Sequence, residues 1–163
     1  GYIVEPLRRA DCCPISDGAV AVILAADGRA SELSDRPAWI RGIDHRIDAH
    51  ALGARDLATS PSASLAAANA GVGQAPVDVA ELHACFTPQE VILAQALGLE
   101  EGCDINPSGG ALAANPMMAA GLIRIVEAAQ RVSDGSARRA VAHATSGPCL
   151  QQNLVCVLEG DDS

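Results

Sequence analysis

The chain has 163 residues, of which 49% are hydrophobic and 19% charged, so it can bury one core and leaves little room for two domains. Its net charge of −9 and aromatic content of 2% argue against a protein that binds a phosphate backbone, an anionic membrane or stacked bases. The chain contains no lysine, which excludes lysine Schiff-base chemistry and a lysine-based phosphate loop. No apolar stretch is long enough for a membrane span and no signal-peptide pattern is present at the start, so we expect a cytoplasmic protein.

The six cysteines are expected to be reduced thiols. They include no CxxC pair, which a zinc site would favour, and nothing marks the chain as a small secreted disulfide framework. We therefore expect no bound metal, and we expect most of these thiols to be small, buried apolar groups.

The predicted elements alternate between strands and helices along the chain. After an opening stub that lacks an initiator methionine, the apolar run at 19–26 predicts a strand buried on both faces, and the alternating segment at 37–47 predicts a half-exposed strand. The later elements are a helix at 62–72, a strand at 78–82, a helix at 88–97, a glycine-rich loop at 106–114, a helix at 116–132, and strands at 139–144 and 153–158.

This order predicts an α/β layered sandwich with a mixed sheet. The last two strands are joined by a short loop, so they are expected to be antiparallel neighbours. The single domain is expected to span 1–160, followed by a frayed acidic tail at 161–163.

Three polar clusters fall at the ends of predicted strands, where open α/β sheets place their ligands. Residues 81–87, 106–116 and 143–153 each contain a group that can move a proton or bind an oxygen atom. Each cluster also has a purely structural explanation. These explanations are a partly buried histidine at His83, a flexible turn at 108–110, a helix cap at Asn115 before Pro116, and a buried turn residue at Cys149.

In combination, four segments resemble the C-terminal half of the thiolase superfamily, and the sterol-carrier-protein-type and lipid-transfer-protein-like thiolases look closest. The segments are ADCCPISDGAVAVILA at 10–25, LHACF at 82–86, INPSGGALAANPMMAAG at 105–121 and GPCLQQNLVCVLEG at 147–160. The second is similar to the HDCF variant of the family's NEAF motif, the third to NxxGG…GHPxGxxG, and the last stands in place of the terminal CxG loop and strand. The resemblance covers nearly the whole chain.

This resemblance implies a βαβαβαββ half-domain packed against an N-terminal half of the same topology. It also implies acyl-CoA chemistry, either thiolytic cleavage or Claisen condensation, with a coenzyme A thioester as substrate and no bound cofactor. The family's nucleophilic cysteine lies in the N-terminal half, so this half would supply oxyanion-hole and acid/base groups and would not turn over alone. Its uncovered apolar surface predicts association with the other half and a dimer or larger oligomer.

The resemblance assigns roles residue by residue. His83 matches the first residue of the HDCF variant, which would bind the oxygen or water that stabilises the thioester enolate. Cys149 lies nearest the CxG cysteine that moves the α-proton, although Gly147 competes for that position, and His143 is the reserve candidate for the same proton. The residues expected to bind substrate are Phe86, Ser108, Gly109, Gly110 and Gly147.

Two positions depart from the family pattern. Asn115 stands where the family has a histidine that activates the nucleophile, and an amide can donate to an oxyanion but cannot accept a proton for catalysis. Ala84 stands where the HDCF variant has a carboxylate. These departures leave two alternatives open: a retro-aldolase, whose relatives work with a small zinc-ribbon and OB-fold partner, and a non-catalytic subunit. The retained His83 and Cys149 argue against the non-catalytic subunit.

Overall fold

A computed structural model describes residues 1–161 of the chain, which form one small hairpin and one five-stranded mixed sheet. The hairpin joins β1 at Tyr2–Val4 to β2 at Leu7–Arg8. The strands of the large sheet are β3 at Trp39–Ile47, β4 at Val79–Leu82, β5 at Asp104–Ile105, β6 at Arg139–Ser146 and β7 at Gln152–Glu159. Their spatial order is β3-β7-β6-β4-β5, in which β4 runs parallel to β5 and β6, and β7 runs antiparallel to β3 and β6.

The helices cover both faces of this sheet. They are α1 at Asp27–Leu33, α2 at Pro61–Ala70, α3 at Thr87–Ala96, α4 at Gly110–Ala113 and α5 at Ala120–Ser133. Helices α2 and α3 pack on one face, and α5 packs on the other. The order β3-α2-β4-α3-β5-α5-β6-β7 confirms the layered α/β sandwich and the βαβαβαββ order that the family resemblance implies.

Small side chains bring α2 close to the sheet. The helix has proline in its first turn and ends at Gly71, whose φ of 85° suits glycine. On β3, a Cβ atom at Gly42 would lie 2.1 Å from the carbonyl oxygen of Ala70, so only glycine allows this approach. The core-facing residues of α2 recur with helical spacing and are Ala63, Ala66, Ala67 and Ala70.

The predicted helix at 116–132 begins four residues later than expected, at Ala120. Residues 117–119 form a turn, in which the backbone N–H groups of Ala119 and Ala120 both donate to the carbonyl oxygen of Pro116. The fixed φ of proline suits both the start of such a turn and the first helical position, so its presence does not separate the two.

The predicted buried strand at 19–26 is wrong. Within residues 1–161 the segment pairs with no strand, and the side chains of Ile23 and Leu24 are 90% and 78% exposed. It lies beside β3 and α5, with which it lines an apolar groove of about 830 Å³. A continuous apolar run predicts a strand buried on both faces, but in the described chain this segment forms no ladder with the neighbouring edge strand β3, and most of its residues are exposed.

Other predicted boundaries hold to within a few residues. The helices predicted at 62–72 and 88–97 are α2 and α3, whereas α1, α4 and the two-residue strand β5 were not predicted. Of the predicted frayed tail, residues 162 and 163 lie outside the described residues. No helix within 1–161 combines the length and the hydropathy that crossing a membrane requires.

Candidate active site

The carboxyl ends of the parallel strands β4, β5 and β6 meet at one edge of the sheet. His83 directly follows β4, and its backbone N–H donates to the carbonyl oxygen of His143 on β6 at 3.2 Å. Asn106 directly follows β5, and its backbone N–H donates to the carbonyl oxygen of Ala80 at 2.8 Å. The sheet therefore places two of the predicted polar clusters side by side and brings the third to the same edge.

His83 is held as a neutral imidazole with a defined tautomer. Its side chain is buried, and the backbone N–H of Thr145 donates to its Nδ1 at 3.4 Å. A peptide N–H can only donate, so Nδ1 is the acceptor and the ring proton is on Nε2. Burial lowers the pKa of His83, the nearby Asn115 amide opposes this, and the charge of Arg124 lowers the pKa further. His83 is thus an N–H donor rather than a cation at neutral pH.

One thiol lies beside Nε2 of His83, and the Asn115 amide links that thiol to a second one. The Sγ atom of Cys85 lies 3.6 Å from this nitrogen. The Nδ2 group of Asn115 donates to the Sγ of Cys13 at 3.2 Å and to the Sγ of Cys85 at 3.8 Å. Burial raises the pKa of Cys85 to about 11, and the neighbouring Cys13 adds to this effect, so the Cys85 thiol stays protonated at neutral pH. The structure therefore brings His83 and Asn115 together, as expected, with two thiols beside them.

A buried ion pair supports the loop that follows β5. Arg124 on α5 donates through Nη1 to Glu81 Oε2 at 2.9 Å and to Ser108 Oγ at 2.8 Å. Ser108 donates its backbone N–H and its hydroxyl to the same carboxylate, at 3.1 and 2.6 Å. The Ser108 hydroxyl also accepts from the N–H of Gly110. Both donors of Ser108 are thus used within the protein, which favours a structural role over its predicted contact with substrate.

The glycine pair at 109–110 is required by the turn. Gly109 and Gly110 have φ values of 91° and 60°, and a Cβ atom on Gly110 would lie 2.9 Å from the Asn106 side chain. Asn106 itself accepts from the N–H of Leu82 at 2.6 Å and donates to Glu90 of α3 at 2.5 Å. These contacts explain both glycines through local geometry, and their predicted contact with substrate stays a prediction.

The loop between β6 and β7 carries three residues in the left-handed region: Gly147 at φ 73°, Cys149 at 52° and Leu150 at 55°. Cys149 and Leu150 are not glycine, and for such residues the left-handed conformation costs about 1–3 kcal/mol each. It persists only where neighbouring groups hold the backbone in place. Arg55 donates to the carbonyl oxygens of Pro148 and Cys149 at 3.0 Å each, and Asn153 donates to that of Leu150 at 2.8 Å. The loop is therefore held from both sides.

Cys149 and Phe86 lie at exposed positions. The side chain of Phe86 is 40% exposed directly after Cys85, so a ligand at the strand ends can reach it. Cys149 is exposed on the loop after β6, and among the hydrogen bonds of residues 1–161 none joins its thiol to His83 or Asn115. The structure thus brings the imidazole and the amide together, and the role of Cys149 stays a prediction.

His143 lies on the opposite face of the sheet from His83. Its side chain is fully buried, and its Nε2 is 2.9 Å from Asn153 Oδ1. Asn153 in turn donates to the hydroxyl of Ser62 on α2 at 2.7 Å. This environment favours a structural role over the predicted reserve role in proton transfer, because a substrate at the strand ends cannot reach the ring.

The burial of His143 predicts a loss of stability in acid. Burial lowers its pKa from 6.5 to about 4, so the unfolded chain binds the proton more tightly. The full contribution is present above pH 6.5 and is lost as the pH falls towards 4, reaching about 2 kcal/mol by pH 5. Urea unfolding at pH 7.5 and 5 is expected to show this loss in the wild type and not in His143→Gln. The exposed His50→Gln is the control; a loss that persists unchanged in His143→Gln would contradict the assignment.

Four residues of this site were not assigned from the sequence: Cys13, Glu81, Cys85 and Arg124. Glu81 and Cys85 could have been assigned from the sequence, because they alternate with their neighbours around His83 in an extended segment. Alternate residues of such a segment lie on the same side. Cys13 and Arg124 come from distant parts of the chain, and no local pattern connects them to the site.

No family model matches the chain. An acetyl-CoA acetyltransferase of Methanothermobacter thermautotrophicus is 30% identical over 168 aligned positions, covering 89% of this chain and 44% of that protein. Sterol carrier protein 2 of Gallus gallus is 32% identical over 167 positions, covering 81% of this chain and 30% of that protein. The 17-hydroxy-3-oxo-4-pregnene-20-carboxyl-CoA lyase of Mycobacterium tuberculosis is 33% identical over 106 positions, covering 60% of this chain and 28% of that protein.

The fold and these relatives define a thiolase-like half-domain. The chain belongs to the thiolase superfamily, as its motifs indicate. It spans less than half the length of these curated relatives, which is consistent with a C-terminal half.

Proposed function

We propose that the chain is the C-terminal half of a thiolase-like acyl-CoA acyltransferase, which breaks or forms a carbon–carbon bond next to a thioester. The observation that carries this proposal is the convergence of His83 Nε2–H and the Asn115 amide at the carboxyl ends of the parallel strands. Acyl-CoA as the substrate is supported by the names of the relatives, which include an acetyl-CoA acetyltransferase.

The site suits stabilisation of an enolate. Removal of an α-proton from a thioester places negative charge on the carbonyl oxygen, and preorganised N–H donors stabilise that charge best where water is excluded. His83 is buried and donates from Nε2 because Thr145 occupies Nδ1. Asn115 is 3% exposed, and its Nδ2 group lies on the same side, where it donates to the Cys13 and Cys85 thiols, which are weak acceptors that an oxyanion would replace. In this proposal the two side chains form the oxyanion hole.

Proton transfer is assigned to Cys149. Its loop is held by Arg55 and Asn153, so the thiol stands on fixed backbone beside the end of β6. A thiol can give and take a proton, whereas the Asn115 amide cannot. The nucleophilic cysteine that holds an acyl group is expected in the N-terminal half of the whole protein, together with most contacts to the coenzyme A phosphates.

An apolar face is available for that N-terminal half. Ile40 and Ile43 of β3 are 47% and 55% exposed, and they line the groove of about 830 Å³ together with the unpaired segment 19–26. Exposed apolar surface of this extent marks an interaction site. The proposed occupant is the N-terminal half, because the alignment with this chain covers less than half of each of these relatives. A homodimer and a small zinc-ribbon partner stay predictions.

A charge on this face is expected to destabilise the whole protein. Ile23→Asp would place a carboxylate where the N-terminal half is proposed to pack, and the free energy of unfolding is expected to fall by about 3 kcal/mol. The matched control is Leu65→Asp on the outer side of α2, where the side chain is 51% exposed and a change of about 0.5 kcal/mol is expected. Equal effects of the two substitutions in urea unfolding would show that the face is uncovered.

The reaction is tested on the whole protein by its products. Thiolysis of a 3-ketoacyl-CoA consumes one coenzyme A and gives two thioesters, and acetyl-CoA in D₂O is expected to gain deuterium at its α-carbon. Mass spectrometry of the thioesters measures both. Absence of cleavage, condensation and exchange would contradict the proposal and favour the non-catalytic subunit.

Retro-aldol cleavage is the second candidate. Asn115 cannot activate a nucleophile, and a retro-aldol step needs a base and an oxyanion hole but no acyl-holding cysteine. One relative carries the name of a carboxyl-CoA lyase. Release of a ketone or aldehyde from a 3-hydroxyacyl-CoA without consumption of coenzyme A would favour this candidate over the acyltransferase.

A further inference from the structure

Cys13 and Cys85 face each other across two extended backbone segments. Cys12 and Phe86 form an antiparallel bridge, which places Cys13 directly opposite Cys85. The backbone N–H of Cys13 donates to the carbonyl oxygen of Cys85 at 2.8 Å. Residues opposite each other in such a pair have Cα atoms about 4.5–5.5 Å apart. This separation lies inside the range of about 4.4–6.8 Å that a disulfide spans.

The two side chains also point to the same place. Both sulfurs accept a hydrogen bond from one nitrogen, Asn115 Nδ2, at 3.2 and 3.8 Å. Each thiol is partly exposed, so a small reagent can reach it. Cys12, the sequence neighbour of Cys13, instead directs its Sγ to the carbonyl oxygen of Arg8 at 3.5 Å. One cysteine of the adjacent pair therefore faces the site and the other does not.

We propose that Cys13 and Cys85 form a reversible disulfide across this site, by thiol–disulfide exchange with a low-molecular-weight disulfide of the glutathione class. One cysteine thiolate attacks the reagent, forming a mixed disulfide and releasing one reagent thiolate. The other cysteine, after losing its proton to solvent, attacks the protein sulfur of that mixed disulfide and releases the second reagent thiolate. The two released thiolates take up the two protons, so two cysteine thiols are oxidised and one reagent disulfide is reduced to two thiols.

The disulfide would alter the proposed oxyanion hole, a consequence that rests on the proposed function. Bonding brings the two sulfurs to about 2.05 Å, so the contacts of the thiols with Asn115 and His83 must change. A displacement of about 1 Å in a catalytic group can cost up to about 100-fold in rate. We expect the oxidised whole protein to exchange α-protons at least ~10-fold more slowly, with recovery after reduction by dithiothreitol.

The bond itself is tested without reference to activity. The whole protein is incubated with oxidised glutathione, its free thiols are alkylated, and it is digested with trypsin and analysed by mass spectrometry. Because the chain has no lysine, Cys13 falls in the peptide 10–29 and Cys85 in the peptide 56–124. We expect a disulfide-linked pair of these two peptides, which reduction by dithiothreitol should separate.

Neighbouring cysteines provide matched controls within the same two peptides. Cys12→Ser and Cys103→Ser are expected to keep the linked pair, whereas Cys13→Ser and Cys85→Ser are expected to lose it. Alkylation or glutathione adducts without linked peptides in the wild type would overturn the proposal, as would a linked pair that survives Cys13→Ser. A linked pair in a protein without acyl-CoA chemistry would instead leave the disulfide standing and remove the proposed function.

Discussion

Replacing His83 with alanine in the whole protein is expected to lower the rate of α-proton exchange on an acyl-CoA by at least ~100-fold, because the variant would lack one donor of the proposed oxyanion hole. The wild-type ring is neutral and directs Nε2–H towards the site, since Thr145 donates to Nδ1. His83→Asn keeps an N–H donor at this position and is expected to lose less activity than His83→Ala. The exposed His50→Ala is expected to behave as the wild type.

Cys149→Ser is expected to cause a comparable loss, of at least ~100-fold, because a serine hydroxyl is a much weaker acid than a thiol. The measurement is deuterium incorporation into acetyl-CoA, followed by mass spectrometry at fixed substrate concentration. A loss in His83→Ala alone would keep the oxyanion hole and move the proton-transfer role away from Cys149. Unchanged exchange in both variants would refute the site assignment.

Arg124→Met is expected to lower the free energy of unfolding by about 3–5 kcal/mol, because it leaves a buried carboxylate without its cation. Glu81 is fully buried, and Arg124 is the cation that contacts it at 2.9 Å. The double variant Glu81→Gln/Arg124→Met removes both charges and is expected to be more stable than Arg124→Met alone. Urea unfolding of the whole protein measures both free energies.

An exposed ion pair serves as the control for this experiment. Arg29 and Glu32 of α1 are 3.1 Å apart, but their side chains are 70% and 61% exposed. Arg29→Met is therefore expected to change the free energy of unfolding by about 0.5 kcal/mol or less. If Arg124→Met costs no more than Arg29→Met, the buried pair does not hold the loop in the way that its contacts indicate.

The position of His83 at a strand end could be predicted because the residue patterns that mark strands and helices are local. Apolar patterns predicted β3, β4, β6 and β7, a serine and a glycine marked the ends of α2, and a proline and a glycine marked those of α3. Parallel strands align their carboxyl ends, so the polar residues that follow them were expected at one edge. The contact of His83 with Asn115 was not local, and only the family's motifs placed the two residues in one site.

The face of the sheet that His143 occupies could not be predicted from the sequence. His143 was predicted at the carboxyl end of its strand, but β6 continues three residues further, to Ser146. Its side chain faces α2 together with Val141, whereas Ala142 faces α5. Residues of a strand alternate between faces, and both faces of this strand are buried, so hydrophobicity does not tell which face His143 occupies. Only the packed structure separates it from His83.

By itself, the amino-acid sequence determined the approximate positions of four strands and three helices of the sandwich and the motifs that identify the superfamily, because these depend on residues close together in the chain. Tertiary structure alone decided which distant side chains meet, such as Asn115 with Cys13 and Arg124 with Glu81. It also decided that segment 19–26 stays unpaired, since burial of an apolar run depends on whether a partner surface is present. Local patterns encode the tendency of a segment to be buried, and long-range packing selects what buries it.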